Sequence, residues 1–573
     1  MLVILDDTVG ARRVAFSGAL EIISASTPAE VPAALKAIQR ALAAGRYVAG
    51  WLGYELGHAL ESRLAGLTAA PATPSAMPLM KLGVFQGPGE APPAQGRAYA
   101  GPLAPEWDMA AYVRRFAAVK DYIAAGDIYQ ANLSFRARFA FAGTPRALYE
   151  HLLARSAAAH CAFVDDGERQ IVSLSPELFF DLATDGTLTS RPMKGTWPRG
   201  DGDDAMERAA LGTSEKDRAE NLMIVDLIRN DLSRIGEVGS VAVPELFRVE
   251  TYPTLHTMVS TVTARKRADA DVTDILKALF PCGSVTGAPK IRAMEILHEL
   301  ETSPRGVYCG AVGFFTPPDG GKGIGARFNV AIRTLTIHGG QGELGIGGGV
   351  VQDSGAESEY AECLLKARFF ESARRPLELI ETLKWHDGFV REGRHLARMA
   401  ASARVFGMAF DEPLARAALD AAVAGGVGPL RVRLVLDETG LHRATAHALP
   451  PNPPRWTYAL SPERTFSGDV LLRHKTGWRE LYEGEVARLG GDEAVFCNER
   501  GELTEGARSN IFIRRDGLLL TPPLSSGLLD GCLRAELLAE GKAREAVLMP
   551  GDLENGEVWF GNSLRGLIRG IAL

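Results

Sequence analysis

At 573 residues the chain is too long for one ordinary domain, and its 46% hydrophobic and 23% charged residues are those of a globular protein. A formal net charge of −7 excludes a surface built for nucleic acid, which needs clustered Lys and Arg, and six scattered cysteines without metal spacing read as reduced thiols. No apolar run is long enough to span a membrane, and MLVILDDTVGARR turns acidic too early for a signal peptide, so the expected location is the cytoplasm.

Residues 1 to about 70 mix short apolar strands with an Ala-rich helical stretch over 29–44. Residues 68–106, rich in Pro, Ala and Gly, read as a long surface connection around a strand or two. Helical spacing from Tyr112 stops at Gly126, and GDIYQANLSFRARFAF (126–141) then alternates as a strand. Strands and helices alternate to about residue 370. The boundary falls near SARRP (372–376), with hardly any linker, giving domains 1–372 and 377–573. The second opens on ELIETLKW and an amphipathic helix, REGRHLARMAASARVFG, with Leu396, Met399 and Val405 on or near one side. Apolar strands follow at 430–436, 494–497, 510–513 and 558–560, and no internal repeat is visible.

Several short stretches carry chemistry. In RPMKGT (191–196), Lys194 lies between a proline that stiffens the backbone and a glycine that opens space, a way to fix an amine in a pocket. A buried lysine is readily tuned to its neutral, nucleophilic form, although the six residues alone equally describe a turn between strands. Asp217 and Glu220 lie three apart in an apolar helix, and Glu359 and Glu362 repeat the arrangement with Lys366 one turn on. Four carboxylates on two helix faces suit Mg²⁺, while either pair by itself is the ordinary pattern of a solvated surface. GSVTGAPK (283–290) fails the phosphate-loop pattern but still offers free N–H groups to an anion. His256 sits in an apolar segment, where a lone histidine is more often core than catalyst. Lys475 in LLRHKTGWRELYE, Glu505 in LTEGARSNIF and Arg398 in HLARM each have a plain surface reading in isolation.

In order and wording, WLGYE (51–55), SPELFF (175–180), RPMKGT, KDRAENLMIVDLIRND (216–231), FPCGSVTGAPKIRAMEIL (280–297), GVYCGAVGFF (306–315), AIRT (331–334) and GIGGGVVQDSGAESEYAECLLKA (345–367) resemble the chorismate-utilising enzymes. The lysine of RPMKGT resembles the mark of the aminodeoxychorismate synthase component I branch; anthranilate synthases usually carry alanine there. This resemblance implies an α/β sandwich binding chorismate. It makes Lys194 the nucleophile that adds to the ring as the para hydroxyl leaves, before ammonia displaces it. It makes Glu177 the acid or base for that hydroxyl and places His256 beside the ring. Glu220 and Glu362 become the main Mg²⁺ ligands, with Asp217 and Glu359 nearer the edge. Thr286, Tyr308, Arg333, Gly348 and Lys366 become substrate contacts. No glutaminase module is visible, so a separate glutamine amidotransferase subunit is expected to supply ammonia.

The second domain resembles the fold-type IV pyridoxal 5'-phosphate enzymes. The resemblance makes Lys475 the cofactor-binding lysine, Glu505 the carboxylate facing the pyridine nitrogen, and Arg398 the phosphate arginine. SGLLDG (526–531) and GNSL (561–564), with Ser563, complete the phosphate cup. Fused to an aminodeoxychorismate-forming domain, the implied reaction is loss of pyruvate to give 4-aminobenzoate for folate. The alternatives are an aminotransferase of the branched-chain or D-amino-acid type and a non-catalytic docking module. A homodimer through this domain is an option.

Overall fold

The computed structural model describes residues 1–67, 77–156, 158–199, 204–252 and 255–573, so part of the expected connection, 68–76, lies outside the described residues. Two units emerge, one of Met1–Pro93, Leu103–Arg138 and Tyr149–Ala373, the other of Ala94–Pro102, Phe139–Leu148 and Arg374–Leu573. A boundary at 372–377 assigns 94–102 and 139–148 to the first domain; the structure groups them with the second. The reason is burial: Tyr99 and Ala142 belong to one apolar cluster with Leu379, Leu396, Met399 and Phe406.

Unit 1 is built on two large antiparallel sheets. One runs in the order Gly287–Ala288, Gln130–Gly143, Gln341–Val350, Thr334–His338, Gln170–Ser175, His160–Asp165, Leu2–Asp7, Arg12–Phe16. The other runs Met193–Pro198, Leu255–Arg265, Thr187–Arg191, Leu178–Leu182, Gly325–Val330, Ala311–Thr316, Tyr47–Leu52, Met80–Phe85, Glu21–Ala25. Alternation along the strands turns Val3, Phe16, Ala162, Val164 and Ile171 of the first sheet toward Ala49, Trp51, Phe85 and Val312 of the second, and these form a shared core. The outer face of the second sheet is covered by the helices Val31–Ala43, Glu215–Ser233 and Val272–Leu279, whose Leu35, Ile38, Ile224, Val225, Ile275 and Leu276 join Val48, Leu82, Phe180 and Phe328. The helix Glu215–Ser233 buries one face only. Leu222, although apolar, is exposed, because the 3.6-residue period carries it away from Ile224, Val225 and Ile228.

In unit 2 an antiparallel sheet of Leu379–Trp385, Leu430–Leu436 and His442–Ala448 packs with the helices Glu392–Val405 and Glu412–Val423 through Leu383, Val432, Leu434, Leu396, Met399 and Leu419. A mixed eight-stranded sheet completes the unit, with Arg455–Thr465 parallel to both Glu493–Asn498 and Gly566–Ala572. Both units are thus mixed α/β. Among the described residues no helix is long and apolar enough to cross a membrane.

Candidate functional site

Lys194 lies on Met193–Pro198, whose ladder with Leu255–Arg265 breaks register between Lys194 and Thr196. Gly195 makes that break at φ 78°, and a Cβ on it would stand 2.8 Å from Asp217 Oδ1. The strand therefore needs glycine where the helix Glu215–Ser233 comes close. Burial lowers the Lys194 pKa against the pull of Glu220, with Lys366 adding to the fall and Glu177 and Glu362 opposing it. Glu177 is 3% exposed, and its Oε1 has no hydrogen-bond partner among the described residues. Burial pushes its pKa up to about 7, against Ser284 and Lys194. Glu220 is also raised by burial, against Lys194 and Lys216, with Asp217 and Glu359 adding to the rise.

The helix Ala356–Lys366 supplies the other acids. Glu359 accepts from Ser354 Oγ at 2.7 Å. Glu362 is exposed, and against a partial loss of hydration it is held below the usual carboxylate range by Lys366, whose Nζ stands 2.9 Å from Oε1. Lys366 also donates to the Gly347 carbonyl at 3.0 Å. A Cβ on Gly348 would lie 3.3 Å from Glu359 Oε2 and 3.6 Å from Lys366 Nζ, so this glycine keeps the strand low before both groups. The structure thus brings Lys194, Glu177, Asp217, Glu220, Glu359, Glu362, Gly348 and Lys366 to one place.

The expected substrate contacts divide. Thr286 closes its own turn, its hydroxyl donating to the Gly283 carbonyl at 3.0 Å. The same turn pairs Gly287 and Ala288 with Ala131 and Gln130. Tyr308 fills the space over Gly345, where a Cβ would stand 2.1 Å from its Cγ. Arg333 has a positive φ of 50°. Its half-buried guanidinium has no hydrogen-bond or ion-pair partner among the described residues, and burial presses its pKa down. An unpaired guanidinium is ready for a carboxylate. His256 lies on the strand beside Met193–Pro198, opposite Trp197; its Nδ1 meets Thr251 Oγ1 at 3.0 Å, and Nε2 lies 3.3 Å from Asp204 Oδ1 and 3.9 Å from Glu207 Oε2 on the helix Asp204–Thr213.

Gln130 was not singled out by any spacing, because it is one polar position in an alternating strand. It is 1% exposed, its Oε1 is unpartnered among the described residues, and a Cβ on Gly349 would lie 2.7 Å from its Nε2 and 3.3 Å from Lys194 Nζ. The backbone of Gly349 thus has the amine of Lys194 and the amide of Gln130 as neighbours.

In unit 2, Lys475 follows the short turn Val470–Arg473, and its carbonyl accepts from Ile380 N at 2.9 Å. Burial pushes its amine down to about 8, helped by Arg479 and Arg398 and opposed by Glu381 and Glu505. Glu505 accepts from Tyr482 Oη at 2.8 Å and from Leu529 N at 3.1 Å, and burial raises its pKa even so. Arg398 forks onto Glu381, Nε to Oε1 at 2.8 Å and Nη2 to Oε2 at 2.6 Å, and gives Nη1 to the Asp530 carbonyl at 2.9 Å. Glu381 also meets His395 Nδ1 at 2.6 Å, and His395 Nε2 stands 2.8 Å from Ser563 Oγ. Glu381 and His395 carry signals the sequence reading passed over. Glu381 shares the inward strand face of Leu379 and Leu383, and His395 lies three residues before Arg398 on a helix.

Residues 4–372 match the family model described as chorismate binding enzyme, and residues 378–572 that described as amino-transferase class IV. Aminodeoxychorismate synthase of Streptomyces griseus is 44% identical over 269 residues, which are 47% of this chain and 36% of that protein. Aminodeoxychorismate synthase component 1 of Klebsiella aerogenes is 42% identical over 273 residues, 47% of this chain and 58% of that one. Among solved structures, anthranilate synthase component I from Streptococcus pneumoniae TIGR4 aligns with a TM-score of 0.50 at 28% identity, over 56% of this chain and 80% of that chain. The chain spans 36% and 58% of the length of these two curated relatives. With the first family model covering well over half of its residues, the chain belongs to the chorismate binding enzyme family.

Proposed function

We propose that the chain makes 4-aminobenzoate for folate at two sites. Unit 1 converts chorismate and ammonia to 4-amino-4-deoxychorismate, and unit 2, with pyridoxal 5'-phosphate, eliminates pyruvate from that product. Residues 1–372 and 377–573 are the corresponding functional halves. The observation that carries the reading is the amine of Lys194, pressed toward its neutral form between Glu177 and Glu220.

In the first step the neutral Lys194 amine adds to the ring while Glu177, whose pKa of about 7 keeps a proton available, delivers it to the departing para hydroxyl, which leaves as water. Ammonia then bonds to the para carbon with its own electron pair, the ring double bonds shift back, and the ring–Lys194 bond breaks with its electron pair returning to the lysine nitrogen. Arg333, without a partner of its own, takes a substrate carboxylate, with Thr286, Tyr308, Gly348 and Lys366 around it. His256, on the strand next to that of Lys194, acts beside the ring. Mg²⁺ fits the acids. Their donors are hard carboxylate oxygens carried on two helices, Glu215–Ser233 and Ala356–Lys366, the donor type Mg²⁺ takes alongside water and substrate. Glu220 and Glu362 would hold it.

Pyridoxal 5'-phosphate fits unit 2. Lys475, with its amine at about 8, lies in the field of Glu505, and Arg398 keeps N–H groups beyond those given to Glu381 and Asp530. Bound there, the cofactor supplies an electron sink that Glu505 sustains by keeping the pyridine nitrogen protonated. Arg398 and Ser563 would hold its phosphate, and Lys475 carries the ring-carbon proton away. Ammonia comes from a separate glutamine amidotransferase subunit, and the enzyme works in the cytoplasm as a homodimer through unit 2.

The purified chain given chorismate, Mg²⁺ and ammonium salt should yield 4-aminobenzoate and pyruvate with pyridoxal 5'-phosphate, and 4-amino-4-deoxychorismate without it, by product chromatography. Lys194→Ala should yield neither. Anthranilate as the product overturns the role of Lys194, and transfer of an amino group between an amino acid and a keto acid overturns the role of unit 2.

A further inference from the structure

Resting on the reading of unit 2 as a pyridoxal 5'-phosphate site, we propose that His395 decides whether the Ser563 hydroxyl gives or takes a hydrogen bond at the cofactor's phosphate, so that phosphate binding takes up a proton at His395, with Glu381 as the residue that positions the imidazole.

Glu381 is 1% exposed and receives both Nε and Nη2 of Arg398 as well as the bond with His395 Nδ1. Burial opposes its charge, but Arg398 and His395 bring its pKa down to about 2, so it is a carboxylate and can only accept. His395 Nδ1 therefore carries a hydrogen. The other ring nitrogen stands 2.8 Å from Ser563 Oγ and has two ways to bond it. With one proton on the ring, Nε2 is a lone pair, Ser563 spends its only hydrogen on it, and the oxygen shows lone pairs to the cup. A phosphate offers acceptors alone, so that arrangement repels it. With a second proton, Nε2–H donates to Ser563 Oγ, and the hydroxyl hydrogen is free for a phosphate oxygen.

The groups around His395 are few and named. Glu381 faces it from the strand Leu379–Trp385, and Cys532 from the helix Cys532–Ala539, with ligand atoms of all three within 4.8 Å of one another. On its own helix, Arg398 is bound to Glu381. At that helix's N-cap, Arg391 is committed to Glu536 and gives Nη1 to the Ser563 carbonyl at 3.4 Å, which holds the serine's backbone still. Lys475 and Asp530 complete the set through Arg398 and Glu381.

The test is calorimetric titration of the full chain, freed of cofactor, with pyridoxal 5'-phosphate in buffers of different ionisation enthalpy, which counts protons taken up on binding. The wild type is expected to take up as much as one proton more than His395→Gln, and the same excess over Ser563→Ala. Its dissociation constant should rise with pH relative to both variants, by up to about tenfold per pH unit. Glu381→Gln should weaken binding and lose the excess uptake. Equal proton counts in wild type and His395→Gln, or an undiminished count in Ser563→Ala, overturn the proposal. A thermal unfolding transition of unit 2 matching that of the wild type reports that each variant is folded. The absorbance change of the bound cofactor, lost in Lys475→Ala, tests the site reading separately.

Discussion

Burial works on Lys194 and Glu177 in opposite senses, lowering the one and raising the other, so each is driven toward its uncharged form. For Glu177 this has a measurable sign. Its pKa rises from the ordinary 4.5 to about 7, so the folded chain holds the proton more tightly than the unfolded one. That contribution to stability is complete below the unfolded value and is lost as pH climbs through 7, at most about 3 kcal/mol in all. Thermal unfolding followed across that window should therefore show the wild type losing stability that Glu177→Gln does not lose; parallel pH profiles would refute the assignment. The same variant should aminate chorismate roughly 10²–10⁴-fold more slowly. At this scale the sequence exposes residues whose spacing is itself the signal. The three-residue steps of Asp217 and Glu220, and of Glu359 and Glu362, are legible because a helix repeats. Gln130 gains its meaning from Gly349 and Lys194, and His395 from Ser563, 168 residues away, and no local period reports those contacts.

Among the elements, the strand Gln341–Val350 and the strand Met193–Pro198 are shaped by what glycine leaves out. A methyl on Gly349 would meet Gln130 Nε2 at 2.7 Å and Lys194 Nζ at 3.3 Å, the far ends of two flexible side chains. Gly349→Ala should cost little stability while displacing the reacting amine, with a loss of roughly a hundredfold in kcat for aminodeoxychorismate formation. On the same strand Gly345→Ala meets the ring of Tyr308 at 2.1 Å, which cannot swing aside so easily. It should lower stability by about 1–3 kcal/mol. Unfolding and activity assays on the pair separate the two effects, and a Gly349→Ala enzyme of normal rate would remove Gly349 from the site. The elements themselves are largely readable. The helix expected over 29–44 forms at Val31–Ala43, and the strand expected from GDIYQANLSFRARFAF forms at Gln130–Gly143. Which strands become neighbours is set by long-range pairing, as in Leu2–Asp7 beside His160–Asp165.

For the molecule as a whole, the division into units is not a cut in the chain. Ala94–Pro102 and Phe139–Leu148 belong to unit 2 although the rest of that unit begins at Arg374. Composition marks the change near 372–376, but nothing in the local sequence shows that Tyr99 packs edge-on against Phe406, ring centroids 5.2 Å apart. Tyr99→Ala should destabilise unit 2 by about 3–5 kcal/mol, as loss of a buried aromatic ring does, while sparing unit 1. Unfolding watched at each site should resolve the difference, and equal loss in both units would show that they melt as one. The shared segments also set a timetable on the ribosome. The strand pairs that join 98–100 to 141–143 are synthesised long before Leu379, Leu396 and Phe406 exist to cover them. At about 5–20 residues per second, translation from Arg374 onward takes on the order of ten to forty seconds. Throughout that wait the nascent chain carries an uncovered aromatic strand pair, which makes that interval the moment when a chaperone has the most to shield.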